Sequence, residues 1–203
     1  MTLVERVHGN FVYNRRVERL CTHLSAVMPH GRARVLDIGC GDGLLSSMIM
    51  EARSDLEIVG IDVLIRPRTH IPVTEFDGRR IPFANDSVDG AMFVDVLHHT
   101  PDPMVLLREA ARVARSAIVI KDHTANGFLA ARTLRFMDEV GNARHGVALP
   151  FNYWTRERWM EAFETLGLRV AAWNDRLGLY PRPASWVFDR SLHFVARLEK
   201  GRD

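Results

Sequence analysis

Two groups of residues in this chain have the types and spacing to do chemistry. The first is a loop, Val35-Leu36-Asp37-Ile38-Gly39-Cys40-Gly41-Asp42-Gly43, where an apolar run passes directly into three alternate glycines. Glycine lets the backbone turn tightly and lets a ligand press against the main chain. A helix starting just beyond it offers free N–H groups and a partial positive charge. The second group is polar: Asp95 with His98-His99, and Lys121-Asp122-His123. These residues can take up a proton, and His123 is the candidate base because histidine titrates near neutral pH. Asp122 could orient it or act alone. Adjacent residues of an extended chain face opposite ways, so neither pair is expected to converge on one substrate. One of His98 and His99 is expected to be a packed or capping residue.

The glycine spacing discriminates between ligands. A dinucleotide fingerprint would read G-x-G-x-x-G, but the pattern here is G-x-G-x-G, with Leu44 where the last glycine would fall. Asp37 just before the turn is unhelpful beside a pyrophosphate and helpful beside an ammonium group. Asp62 ends the next apolar run, where a carboxylate can accept hydrogen bonds from both ribose hydroxyls. The expected ligand is a nucleoside carrying a cationic amine and no diphosphate, a description that S-adenosylmethionine fits. No H-x-x-x-H or H-E-x-x-H pattern occurs, so no metal site is expected.

With these motifs the chain resembles the class I S-adenosylmethionine-dependent methyltransferases, in their small-molecule branch. Gly60-Ile61-Asp62-Val63 is similar to the family's ribose-binding strand end. Phe76-Asp77-Gly78, followed by Ile81-Pro82-Phe83, is similar to its adenine-binding turn. Asp89 to His99 is similar to its fourth strand and the turn after it. The resemblance implies that the backbone of Gly39, Cys40 and Gly41 packs against the methionine portion and ribose. It implies that Asp37 binds the amino group, that Asp62, at the strand end completed by Val63, holds the ribose, and that Asp77 accepts from the adenine amine with the Gly78 N–H near the ring. Asp95 then lies beside the methionine end. The implied activity is in-line methyl transfer to a small acceptor, for which His123 and Asp122, singled out above on their own chemistry, are the candidate catalytic residues. A catalytically silent cofactor-binding module working through a protein partner is the alternative, and a nicotinamide oxidoreductase on the same fold is disfavoured by the missing glycine.

The elements that must position these residues alternate. Strands are expected at 34–38, 56–61, 71–75, 88–94 and 117–120, with helices at 10–28, 43–52 and 103–114. Then come a helix over 125–140, a loop around 141–146, a helix over 155–166 capped by Thr155 and stopped by Gly167, and strands at 168–173 and 192–198. This order predicts an α/β fold: a Rossmann-like, doubly wound, seven-stranded sheet, mostly parallel. The last two strands leave no room for a crossover helix, so an antiparallel strand is expected near the C-terminus. The whole of 1–203 reads as one domain: an N-terminal helical cover (1–30), a cofactor-binding core (34–123), a helical insert (124–154), and a C-terminal helix and strands (155–203).

The acceptor pocket should come from outside the core. Candidates are His8, Phe11 and Tyr13 in the first helix, Phe128, Phe136, His145, Phe151, Tyr153 and Trp154 in the insert, and Tyr180, Pro181, Pro183 and Trp186 in the late loop. Aromatics there suit an apolar or aromatic acceptor. Composition narrows the rest. The chain has 203 residues and a formal charge of +2, with 25 scattered arginines and no basic block of five or six, so no nucleic-acid surface is expected. Its two cysteines, Cys21 and Cys40, rule out a disulfide scaffold. No apolar run is long enough to span a membrane, and the first residues carry no apolar signal core, so a cytoplasmic protein is expected.

Overall fold

The computed structural model describes the backbone of residues 3–142 and 150–201, and the side chains of residues 15–140 and 150–201. The chain starts with helix α1 (Leu3–Val27) and enters strand β1 (Ala33–Ile38), helix α2 (Leu44–Ala52), β2 (Leu56–Asp62) and β3 (Val73–Glu75). It continues through β4 (Val88–Val94), a single 3-10 turn (Leu97–His99), α3 (Pro103–Val113) and β5 (Ala114–His123). The last third holds α4 (Ala130–Asn142), α5 (Arg156–Thr165), β6 (Leu168–Asn174), the short α6 (Ser185–Phe188) and β7 (His193–Lys200).

One seven-stranded sheet carries them in the order β3-β2-β1-β4-β5-β7-β6. The first five strands are parallel, and β7 runs antiparallel to both β5 and β6. The order reverses between β1 and β4, and this switch point is where open α/β sheets bind ligands, beyond the carboxyl strand ends. Strands β1, β4 and β5 are buried along most of their length because both faces are covered. One core layer packs α3 and α5 through Leu106, Leu107, Ala110, Trp159 and Phe163. The other packs α1 and α2 through Leu20, Leu24, Met28 and Ile49. Helix α3 has Pro103 in its first turn, where a missing N–H costs nothing, and Asp102 accepts from the Met104 amide at 3.0 Å. Thr155 caps α5, and Gly167 follows that helix at φ 65°.

Helix α1 starts at Leu3 rather than 10 and β5 at Ala114 rather than 117, and two further boundary differences bear on the site. Strand β5 does not end at residue 120 but runs on through Lys121, Asp122 and His123, paired with Val195, Phe194 and His193 of β7. A polar triplet reads as the end of an apolar strand. The antiparallel neighbour continues the ladder, and the three side chains find buried partners just past β4, Lys121 on Asp95 and both Asp122 and His123 on His98. Helix α4 begins at Ala130, not 125. Ala125 and Asn126 are held instead by the next loop, with the Ala125 amide on the Trp154 carbonyl and Asn126 Oδ1 accepting from the Arg156 amide. The side chains of His8, Phe11 and Tyr13, and His145 altogether, lie outside the described residues.

Candidate active site

The glycine loop leaves β1 with Gly39, Gly41 and Gly43 all at positive φ. A Cβ at Gly39 would stand 2.6 Å from a Val96 methyl, and one at Gly43 would run into Ile71, so both glycines are required by close packing. Gly41 differs: nothing lies within 4 Å of the place a Cβ would take. Its amide donates to Asp62 Oδ2 at 2.8 Å, tying the loop to the end of β2, while Asp62 Oδ1 accepts from the Leu64 amide at 2.9 Å.

Beside the loop is a cavity of 180 Å³ lined by Arg16, Asp37, Gly39, Cys40, Asp42, Leu45 and Asp95, among others. Asp37 is 4% exposed, with Oδ2 accepting from Ser46 Oγ at 2.6 Å and Oδ1 without a hydrogen-bond partner. Burial, with Asp62 nearby, pushes its carboxyl up to about 7 against the pull of the Ser46 hydroxyl. A second cavity of 420 Å³ is lined by Glu75, Phe76, Asp77, Arg80, Ile81, Pro82 and Phe83. Asp77 Oδ1 accepts from the Arg79 and Arg80 amides, and these bonds hold its carboxyl below the usual range. Asp77 therefore shapes its own turn, as an Asp-Gly pair does, and keeps Oδ2 outside those bonds. A Gly78 Cβ would be 3.0 Å from a methyl of Val63, which is itself exposed. A roomier cavity of 640 Å³, lined by Arg32, Asp55, Glu57 and Asp89 among others, lies at the amino ends of β1, β2 and β4, away from the switch point.

Behind the first cavity lies a network of buried polar side chains. Asp95, at φ 56° just past β4, is gripped by Lys121 Nζ and by Arg16 Nη2, the latter at 2.6 Å. Burial opposes its charge, but Lys121 and Arg16 outweigh burial and hold it well below the carboxylate range. A non-glycine residue at positive φ stores strain that the surroundings must impose, and here two cations hold the side chain in place. Asp122, fully buried, accepts from His98 Nδ1 at 2.6 Å and from the Leu97 and His123 amides at 3.0 and 2.8 Å. Burial works against a charged His98, but Asp122 and then Asp138 of α4 prevail and raise it to about 10. Tyr153 donates to Asp138 Oδ2 at 2.5 Å.

His123 is 4% exposed and packs among His98, His193 and Tyr153. Burial, followed by the Lys121 charge, lowers it to about 4. The expected titration near neutral pH is thereby corrected: a buried imidazole beside a buried ammonium stays neutral across that range. Asp122 is also not primarily its orienting partner. The carboxylate lies 3.4 Å from His123 Nδ1 but 2.6 Å from His98 Nδ1. His98, expected as a possible packing residue, is indeed buried, yet it is the network's hub. The sequence reading missed Arg16, Ser46, Asp138 and His193. Asp138 left a trace: Ala130, Leu134 and Asp138 follow at helical spacing, all buried, so an acid sits on an apolar stripe.

Most of the expected acceptor aromatics do not converge. Trp154 is core, its ring tilted against that of Trp159 with centroids 4.8 Å apart, while Phe128, Phe136 and Trp186 are exposed. Tyr153 and Tyr180 do reach the network, Tyr180 at 5.9 Å from the His193 ring.

A family profile described as "Methyltransferase domain" matches residues 12–172. The chain belongs to that family. An uncharacterized methyltransferase of Mycobacterium sp. (strain JLS) is 36% identical over 94 residues, 43% of this chain and 36% of that protein. The chain thus spans little more than a third of the length of the first mycobacterial relatives it matches. A ubiquinone biosynthesis O-methyltransferase of Xylella fastidiosa is 27% identical over 190 residues, 79% of this chain and 74% of that one. Among solved structures, a SAM-dependent methyltransferase of Thermotoga maritima, described as a possible histamine N-methyltransferase, superposes with a TM-score of 0.68. It is 17% identical over 98% of this chain and 96% of its own, and the likeness is one of fold.

The methyltransferase cofactor is S-adenosylmethionine, and the residues present fit it. Asp37 Oδ1 is a buried carboxylate oxygen without a partner on the wall of the first cavity, which suits an ammonium group. The open space over Gly41 suits a ligand lying on bare backbone. No helix among the described residues is long and apolar enough to cross a membrane.

Proposed function

We propose that this methyltransferase modifies a small organic acceptor at the carboxyl ends of β1, β4 and β5. The observation that carries the reading is the partnerless Asp37 oxygen in a cavity that Asp95 also lines, with the buried histidine network on the other side of Asp95. S-adenosylmethionine, when bound, supplies an activated methyl group. Asp37 takes its amino group, and Gly39, Cys40 and Gly41 offer backbone rather than side chains. Asp62 holds the ribose with the lone pairs left over from Gly41 and Leu64. Asp77 and Gly78, with exposed Val63 beside them, take the adenine. Asp95, held by Lys121 and Arg16, closes the methionine end.

His123 is the candidate proton acceptor. It is neutral, and its Nε2 lies 3.8 Å from Asp95 Oδ1, the residue that lines the cavity. Asp122 acts at one remove, fixing His98 and the His123 backbone. An acceptor hydroxyl is the first class to test, since one relative is named as an O-methyltransferase. Tyr153 and Tyr180 beside the network support an aromatic or apolar acceptor. Titration calorimetry with the cofactor, followed by turnover of a panel of small phenols with a deuterated methyl donor, tests this reading. Tight cofactor binding with label in a phenolic ether supports it. Binding with no transfer to any small acceptor overturns it.

A further inference from the structure

We propose that His98, His99 and Asp138 form a binding site for one divalent first-row transition ion such as Zn²⁺ or Co²⁺. One ligand atom from each lies within 4.8 Å of the other two. Two come from the 3-10 turn after β4 and one from α4, so the site joins the helical insert to the core.

Three observations carry this. First, His98 Nε2, on a side chain only 1% exposed, meets the Asp138 carboxylate without forming a hydrogen bond to it, and His99 Nδ1 is buried with no hydrogen-bond partner. Buried polar atoms rarely stay unsatisfied, and two on one turn, both beside a carboxylate, call for a shared partner. Second, His98 Nε2 lies 3.4 Å from Asp138 Oδ2. Two ligand atoms at about 2.0–2.2 Å from a tetrahedral ion lie about 3.3–3.6 Å apart. Third, the outer contacts are those of a metal ligand set. His98 gives its other nitrogen to Asp122 at 2.6 Å, which fixes the tautomer that presents Nε2, and Tyr153 holds Asp138 at 2.5 Å.

Charge agrees. A divalent ion displaces the proton that Asp122 and Asp138 hold on His98, releasing it to solvent, and with the histidines then neutral it balances those two carboxylates. Two imidazoles and one carboxylate suit zinc, cobalt or iron better than magnesium or calcium, which prefer oxygen. Asp95, His98 and His123 also lie within ligand distance of one another. That trio is the weaker candidate, because Lys121 and Arg16 already occupy Asp95 and would face an incoming cation.

The site goes beyond the acceptor reading, and its test needs no turnover. Chelator-treated protein is titrated with Co²⁺, followed by visible absorption, and then with Zn²⁺ in competition. The expected result is one equivalent of Co²⁺ with ligand-field bands, displaced by one Zn²⁺, and a melting temperature raised by Zn²⁺. Affinity should fall at least tenfold in His99→Ala and in Asp138→Asn, and stay unchanged in His30→Ala, which alters an exposed histidine. His99 is only partly buried, so its variant should fold even if Asp138→Asn does not. Absence of binding to the wild-type protein overturns the proposal, as does binding that survives His99→Ala or is lost in His30→Ala.

Discussion

Asp122 Oδ1 lies 2.6 Å from His98 Nδ1, with both side chains shut off from solvent and 24 residues apart in the chain. The pair fastens the turn after β4 to the last residues of β5. Asp122 also accepts two backbone amides there, so its removal would strand three donors at once. Asp122→Ala is expected to destabilise the protein by about 3–5 kcal/mol, the cost of uncoupling a buried pair. Asp122→Asn, which keeps an acceptor, should cost less. Urea denaturation of the three proteins measures this, and equal midpoints would contradict it.

The glycines should separate folding from binding. Gly41→Ala meets no neighbouring atom, so only left-handed strain of about 1–2 kcal/mol is expected, while cofactor affinity should fall at least tenfold. Gly43→Ala adds overlap with Ile71 to that strain, so a loss of about 2–5 kcal/mol is expected. Thermal melts with calorimetry distinguish the two variants. A Gly41→Ala protein that binds normally would remove the ligand from this loop.

Asp37 makes cofactor binding depend on pH. Its carboxyl is raised to about 7, so it is largely neutral below that pH and attracts an ammonium group only as it ionises. Affinity should therefore climb as pH rises through about 7 and level off above. The ligand-free protein follows the opposite course. A folded-state pKa above the unfolded value gives stability present below the unfolded pKa and lost as pH rises through the folded one. By linkage this loss is on the order of 4 kcal/mol between pH about 4 and 8. Asp37→Asn should remove that loss, stabilising the ligand-free protein at pH 8 while weakening binding at least tenfold. Binding that is flat from pH 6 to 8 would speak against Asp37 as the ammonium partner.

Asp62 serves two masters, the loop amide of Gly41 and the proposed ribose. Asp62→Ala should weaken cofactor binding by about 1.5–3 kcal/mol, the range for hydrogen bonds to a charged group. Because the Gly41 amide also loses its partner, the melting temperature should drop as well. An affinity within a factor of two of wild type would place the ribose elsewhere.

His123→Ala should lower kcat at least tenfold on the true acceptor and leave cofactor affinity within about threefold, since its ring does not line the cavity. Single-turnover kinetics with saturating cofactor measures this. Loss of cofactor binding together with kcat would make His123 a packing residue of the network instead.

The sequence by itself determined the sheet and the cofactor side of the site. Strand β4 and the start of α3 at Pro103 fall where periodicity puts them, and the three glycines announce the loop. These features are local: an apolar run, a cap or a tight turn depends on residues within a few positions of one another. Tertiary structure decided the rest. Whether Lys121, Asp122 and His123 end a strand or extend it depends on β7, some 70 residues on, which continues the ladder. Which histidine Asp122 holds depends on where the turn after β4 lands, and what faces His98 depends on the docking of α4. Burial then lowers His123, while Asp122 and Asp138 raise His98 against burial, because desolvation and ion pairing are properties of an environment assembled from distant segments.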